Sequence, residues 1–249
     1  MNENYRHRRL LQLLLEKKAL STTEIVEQLE ISPATARRDI NKLAQQGRLK
    51  KVRNGAESIQ FSPIDYQYNS AVINNIDEKQ RIAQAASQLC QEGDSVILTC
   101  GSTMQMLGDH LCGRKLQIIT NFIPLANKLI ENNHEDIVIM GGQYNRNKAI
   151  TLSLNQNESP YAANIMFTSG KGFTTEGLYK TDMIIANSEQ RLSARAGKYV
   201  VLLDSTKLGQ QVGMLFTKLQ DIDLLITGKN AEPDLIQSLQ EKGLSIMLV

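Results

Sequence analysis

The chain has 249 residues, 41% of them hydrophobic, and a formal net charge of +2. That length suits one small domain plus one of medium size, and no stretch approaches the ~20 apolar residues of a membrane span. Behind Met1 to Arg6 there is no apolar stretch of the length a leader's hydrophobic region needs, so no secretory leader is expected. Cys90, Cys100 and Cys112 lack any CxxC spacing, which disfavours structural zinc and a disulfide framework and fits a reducing, cytosolic compartment. His7, His110 and His134 are scattered and read as ordinary surface or core histidines.

In chain order, a leucine-rich run, Leu10 to Leu15, predicts a first helix ending near Lys17-Lys18. Thr22 or Thr23 is placed to cap a second helix, whose buried stripe is Ile25, Val26 and Leu29. Ser32 then stands as N-cap, with Pro33 at the first position of a third helix running to about Gln45. Proline suits that position because no amide donor is needed there. Ala36, Ile40 and Leu43 recur at helical spacing and define its inner face. Thr35, Arg37, Arg38, Asn41 and Lys42 project from the other faces, a set of donors matched to base edges and phosphates. Gly47 is expected to end this helix, and Asn54-Gly55 is a hairpin signal. The result is a basic wing, with Lys51, Arg53 and Asn54 placed to lie along a DNA backbone.

From Ala34 to Arg53 the basic residues are Arg37, Arg38, Lys42, Arg48, Lys50, Lys51 and Arg53, against the single acid Asp39. A basic block on a near-neutral chain points to a nucleic-acid-facing head on a soluble body. Residues 1–58 are therefore expected to form a winged helix-turn-helix, 59–76 a linker, and 77–249 a second domain.

From Asp77 onward helical and strand-like segments alternate. Helices are expected over 78–91, 103–112, 122–132, 182–196 and 233–242. Strands are expected over 95–99, 116–120, 137–140, 165–167, 199–203, 224–226 and 245–249. Short apolar strands separated by helices predict a largely parallel, Rossmann-like sheet covered on both faces, with ligands at the carboxyl ends of the strands. Those ends are polar: Cys100-Gly101-Ser102-Thr103 opening a helix, Thr120-Asn121, Gly141-Gly142-Gln143, Ser169-Gly170-Lys171-Gly172 and Asp204-Ser205-Thr206-Lys207. A glycine at a helix start lets the backbone approach an anion. Lys171 and Lys207 suit a phosphate, and Asn121, Gln143, Asp182 and Asp204 suit sugar hydroxyls. The chain has neither a GxGxxG fingerprint nor a Walker loop, so neither a dinucleotide nor ATP is expected; no cofactor or metal is.

These residues carry a resemblance. Ser32 to Ile40, with the Asn54-Gly55-Ala56 wing, resembles the head of the DeoR family of bacterial sugar-metabolism repressors. Asp77-Glu78-Lys79, Gly101-Ser102-Thr103, Thr120-Asn121, Met140-Gly141-Gly142 and Asp204-Ser205-Thr206-Lys207 are similar to its effector domain, in the same order. The resemblance implies the fold of ribose-5-phosphate isomerase and the CoA transferases, and phosphosugar binding without turnover by Lys79, Cys100 to Thr103 and the other strand-end residues. It also implies a homo-oligomer, dimer or tetramer, on double-stranded operator DNA. Further runs, among them Gly141 to Asn145, Met166 to Gly172 and Gly177 to Asp182, resemble members that govern L-ascorbate use. Cys100 and Asp182 stand where most of the family has Asp and Glu, and those members are similar at both places, which implies L-ascorbate 6-phosphate as inducer. A phosphosugar-responsive activator, and an active phosphosugar isomerase or lactonase with a DNA-binding head, are the alternatives.

Overall fold

The computed structural model describes residues 3–45, 48–58, 73–153, 161–193 and 195–249. The chain divides into two units, Met1–Asp65 and Tyr66–Val249. Gly47, the expected helix end, and most of the expected 59–76 linker lie outside the described residues.

The first unit runs α1 (Glu3–Lys17), β1 (Ala19–Ser21), α2 (Thr22–Leu29), α3 (Pro33–Gln45), β2 (Leu49–Val52) and β3 (Gly55–Ser58). Leu10 and Leu14 from α1, Ile25 and Leu29 from α2, and Ala36, Ile40 and Leu43 from α3 share one core with Leu49 and Ala56 of the wing. The cap of α2 is Ser21, not Thr22 or Thr23. Its hydroxyl accepts from the Glu24 amide at 3.2 Å while the Glu24 carboxylate accepts from the Ser21 amide at 2.8 Å. This is a capping box, and the glutamate three residues after the serine decides the position. The wing also has a third strand that sequence reading did not anticipate: β1 pairs antiparallel with β3, giving the order β1-β3-β2. Gly55 permits it, because a Cβ there would run into the Leu20 carbonyl.

The second unit opens with α4 (Ile76–Ser87), β4 (Ser95–Leu98), α5 (Ser102–Leu111), β5 (Gln117–Thr120), α6 (Ile123–Glu131) and β6 (Ile137–Ile139). A hairpin follows, β7 (Gln143–Asn145) and β8 (Ile150–Leu152), then β9 (Ile165–Thr168), β10 (Gly172–Thr174), β11 (Gly177–Lys180) and α7 (Met183–Ser193). The chain closes with β12 (Tyr199–Leu202), β13 (Met214–Lys218), β14 (Leu224–Thr227), α8 (Pro233–Glu241) and β15 (Ser245–Leu248). Seven strands form one sheet in the order β15-β14-β12-β9-β4-β5-β6, and every pairing in it is parallel.

Successive strand residues face opposite sides. Val96 and Leu98 join Ile82, Leu107 and Leu125 in one core, whereas Ile97 joins Leu192, Ile236 and Leu239 in the other. This double cover explains why the strands are continuous apolar runs. His134 is an ordinary core histidine, one ring nitrogen accepting from the Gly113 amide at 3.1 Å and the other bonded to the Leu116 carbonyl at 3.0 Å. Among the described residues no helix is long and apolar enough to cross a membrane.

From β4 the chain builds outward through β5 and β6, then returns to β9 and builds the other way through β12, β14 and β15. The reversal lies between β4 and β9. At such a point the loops leaving two neighbouring strands diverge and leave a crevice beyond their carboxyl ends.

Candidate functional site

In the first unit the turn between α2 and α3 is set by Glu30, which adopts the left-handed conformation at φ 51°. The Ile31 amide closes the turn onto the Val26 carbonyl at 3.2 Å. Ser32 caps α3, its hydroxyl accepting from the Thr35 amide at 3.2 Å and bonding the Thr35 hydroxyl at 2.9 Å. Arg37, Arg38, Asn41 and Lys42 are exposed along the helix, and Lys51, Arg53 and Asn54 are exposed on the wing.

Asp39 faces inward. It is buried, accepting from Arg6 Nε at 2.9 Å and Nη2 at 3.2 Å and lying 3.1 Å from His7 Nε2. The one acid of the basic stretch is thus turned inward and neutralised, and the outward face of α3 is left positive. Lys50 pairs across the wing with Glu57 at 3.2 Å, so its charge is offset within the hairpin.

In the second unit a cleft of about 300 Å³ lies at the chain reversal. It is lined by Lys79, Cys100, Gly101, Ser102, Thr103, Lys171, Asp182, Asp204 and Lys207, all expected from sequence. Gly101, at φ 135°, begins α5, and no side chain caps that helix. The first-turn amides, with the Ser102 and Thr103 hydroxyls beside them, are therefore open to an anion. Five lysines line the cleft against two aspartates, so its field favours negative charge.

The acids are committed to neighbours. Asp204 lies 3.6 Å from Lys79 Nζ and accepts from Asn75 Nδ2 at 2.9 Å and from the Thr206 hydroxyl. Burial pushes its carboxyl up, but the bonds from Thr206 and Asn75, with the charges of Lys79 and Lys207, outweigh this and hold it below the usual range. Glu78 fastens the same loop to α4, accepting from the Ser205 amide at 2.6 Å and the Ser205 hydroxyl at 3.2 Å. Asp182 caps α7 through the Ile184 and Ile185 amides at 3.0 and 3.2 Å and forms an ion pair with Lys148. Burial of the Cys100 sulfur, with Glu189 Oε1 at 3.9 Å, pushes its thiol up to about 12. It therefore stays protonated at neutral pH and is a poor nucleophile.

Three expected ligand residues lie elsewhere. Asn121 is buried and its amide donates to the Thr151 carbonyl at 3.1 Å, holding the β7–β8 hairpin. Gly142, at φ 136°, is pressed against the Leu152 carbonyl in the same hairpin, where no side chain fits. Gln143 is exposed on β7 and is not part of the cleft lining. Gly141 and Gly142 lead into the β7–β8 hairpin.

Sequence reading missed Asn147, Lys148 and Lys180, which do line the cleft. Lys180 is buried, with Nζ 3.0 Å from Thr168 Oγ1, 2.5 Å from Glu189 Oε2 and 4.5 Å from the centre of the Phe216 ring. It arrives on β11, the middle strand of a small antiparallel sheet, β10-β11-β13. A search of parallel strand ends does not reach it.

Comparison with known proteins agrees with both units. A DeoR-like helix-turn-helix domain matches residues 6–61, and a DeoR C terminal sensor domain matches residues 74–229. The chain is 54% identical over 251 aligned residues to the HTH-type transcriptional regulator UlaR of Escherichia coli O127:H6, covering all of both proteins. The UlaR of Shigella flexneri is similar to the same extent. Among solved structures, ribose 5-phosphate isomerase A from Neisseria gonorrhoeae overlaps 55% of this chain and 56% of its own at a TM-score of 0.40 and 17% identity.

Proposed function

The chain belongs to the DeoR family of DNA-binding transcriptional regulators, and we propose that it is a repressor of a sugar-acid catabolic operon, released by a phosphorylated sugar-like inducer. The inducer is L-ascorbate 6-phosphate. The reading is carried by one observation, the lysine-rich cleft at the sheet reversal of the sensor domain, open to an anion at the uncapped start of α5.

The inducer's phosphate sits against Gly101, Ser102 and Thr103, with Lys171 and Lys207 neutralising its charge and Lys79 beside them. On the DNA side Ser32, Thr35, Arg37, Arg38 and Asn41 meet base edges and phosphates in a major groove. Lys42, Lys51, Arg53 and Asn54 follow the backbone. A homo-oligomer matches repeated operator half-sites, and inducer favours an arrangement that no longer fits their spacing.

The cleft binds without turnover. Glu189 is 1% exposed and tied to Lys180 and Thr168, and Asp204 is held by Lys79, Asn75 and Thr206. Neither carboxylate is poised as a free acid or base for a substrate.

Two variants separate the halves of this reading. Arg37→Ala loses operator binding and keeps inducer binding by calorimetry. Lys207→Ala keeps operator binding and loses the response to inducer. An Arg37→Ala protein that held the operator at full affinity would remove α3 from the interface, and an unchanged inducer response in Lys207→Ala would remove the cleft. Formation of product from L-ascorbate 6-phosphate by the purified protein would make it an enzyme, and a reporter that falls silent when the gene is deleted would make it an activator.

A further inference from the structure

The β7–β8 hairpin is anchored along β8 and reaches the cleft with its turn. Along β8, the Ile123 amide donates to the Ala149 carbonyl at 3.0 Å and the Thr151 amide to the Asn121 carbonyl at 2.9 Å. Ile150, fully buried, bridges to Phe122. At the tip, the Lys148 amide donates to the side chain of Asn145 at 3.1 Å, shaping a turn that carries Asn147 and Lys148 into the cleft lining. Lys148 there meets Asp182, the cap of α7.

The paired lysines of the cleft differ in what it costs to part them. Lys180 and Glu189 have side chains 6% and 2% exposed, and Lys79 and Asp204 have side chains 13% and 3% exposed. Separating such pairs strands a buried charge. Lys148 and Asp182 are 36% and 22% exposed, in the range where water screens an ion pair and its net contribution is small. Asp182 is also not orphaned when Lys148 leaves. The Ile184 and Ile185 amides still bond its Oδ1, and the positive end of α7 still favours its charge.

We propose that Lys148 is an effector ligand held in reserve by Asp182. An anionic effector entering the cleft takes the ammonium from the carboxylate, and the hairpin tip is fastened onto the bound molecule. Asp182 is then a competitor of the effector rather than a partner for its hydroxyls. This rests on the reading that the cleft binds an anionic effector.

The test turns on the sign of one effect. Full-length protein, Asp182→Asn, Lys148→Met and the double variant are titrated calorimetrically with L-ascorbate 6-phosphate and, separately, with inorganic phosphate. Asparagine caps a helix about as well as aspartate, so α7 is preserved while the competing charge is removed. Asp182→Asn binds L-ascorbate 6-phosphate more tightly, by about two- to fivefold, the reach of a partly exposed ion pair. Lys148→Met binds it more weakly, and on that background Asp182→Asn brings no gain. The chain has no tryptophan, so Asn147→Trp adds a single indole at the tip, whose emission shifts as effector binds. Binding by the wild-type chain with Asp182→Asn unchanged or weaker overturns the exchange and leaves the cleft reading standing. Failure of the wild-type chain to bind either compound overturns both.

Discussion

Asp39 is the only acid between Ala34 and Arg53, and the fold makes it a tether between α3 and α1. Burial pushes its carboxyl up, and the hydrogen bonds from Arg6 and His7 outweigh that and hold it below its ordinary value. A carboxyl held low in the folded state adds stability above its unfolded value of about 3.9, and that stability is lost as pH falls through the lower folded value. Asp39→Asn therefore destabilises the chain by about 1–3 kcal/mol at neutral pH. Thermal unfolding of the two proteins checks this, because their difference shrinks as the wild-type carboxyl is protonated. Sequence reading identified Asp39 as the lone acid but not as a tether. Its partners lie 33 and 32 positions away, and no local spacing signals a contact of that range. Lys180 and Glu189 escaped notice for a related reason, since a buried ion pair has no periodicity of its own.

At the scale of elements, the helices were legible because one-sided burial imposes a period, and the parallel strands because cover on both faces makes each an apolar run. The expected strand 199–203 corresponds to Tyr199–Leu202 and the expected helix 233–242 to Pro233–Glu241. The antiparallel pieces were not legible. β7, β10 and β11 begin at or beside glycines, which weaken the strand pattern. β7 is held by pairing with β8, and β10 and β11 by pairing with each other and with β13. Yet these pieces deliver Asn147, Lys148 and Lys180 to the cleft, so the part of the site hidden in the sequence is the part built on irregular structure. The parallel strand ends, with Gly101 to Thr103, Lys171, Asp204 and Lys207, could be read directly. The capping assignment of α2 gives a clean test at this scale. Ser21→Ala costs about 1 kcal/mol of stability, whereas Thr22→Ala stays within about 0.5 kcal/mol, as read from denaturant midpoints. Equal effects would return the cap to the threonines.

For the whole molecule, the net charge of +2 understates the electrostatics, because the positive charge is gathered on α3 and the wing while Asp39 is hidden. Operator affinity falls steeply with salt, and Lys51→Ala or Arg53→Ala lowers the slope of log affinity against log salt by about one each, the signature of a lost phosphate contact. The same variants weaken specific and unrelated DNA alike, whereas Arg37→Ala or Arg38→Ala acts mainly on the operator. If inducer releases the operator as proposed, the two are linked through a coupling free energy of about 1–3 kcal/mol, typical of such switches. The effector side of that linkage must work by reciprocity, so operator DNA weakens inducer binding by the same factor.

The most direct measurement is fluorescence anisotropy of labelled DNA from upstream of the neighbouring genes, titrated with the full-length protein. The titration is made with and without L-ascorbate 6-phosphate, with fructose 6-phosphate and free ascorbate as controls. The account predicts tight, salt-sensitive binding that L-ascorbate 6-phosphate alone releases, by about 5- to 150-fold in affinity. Tight binding indifferent to all three compounds would contradict the inducer assignment, and no binding at physiological salt would contradict the repressor itself.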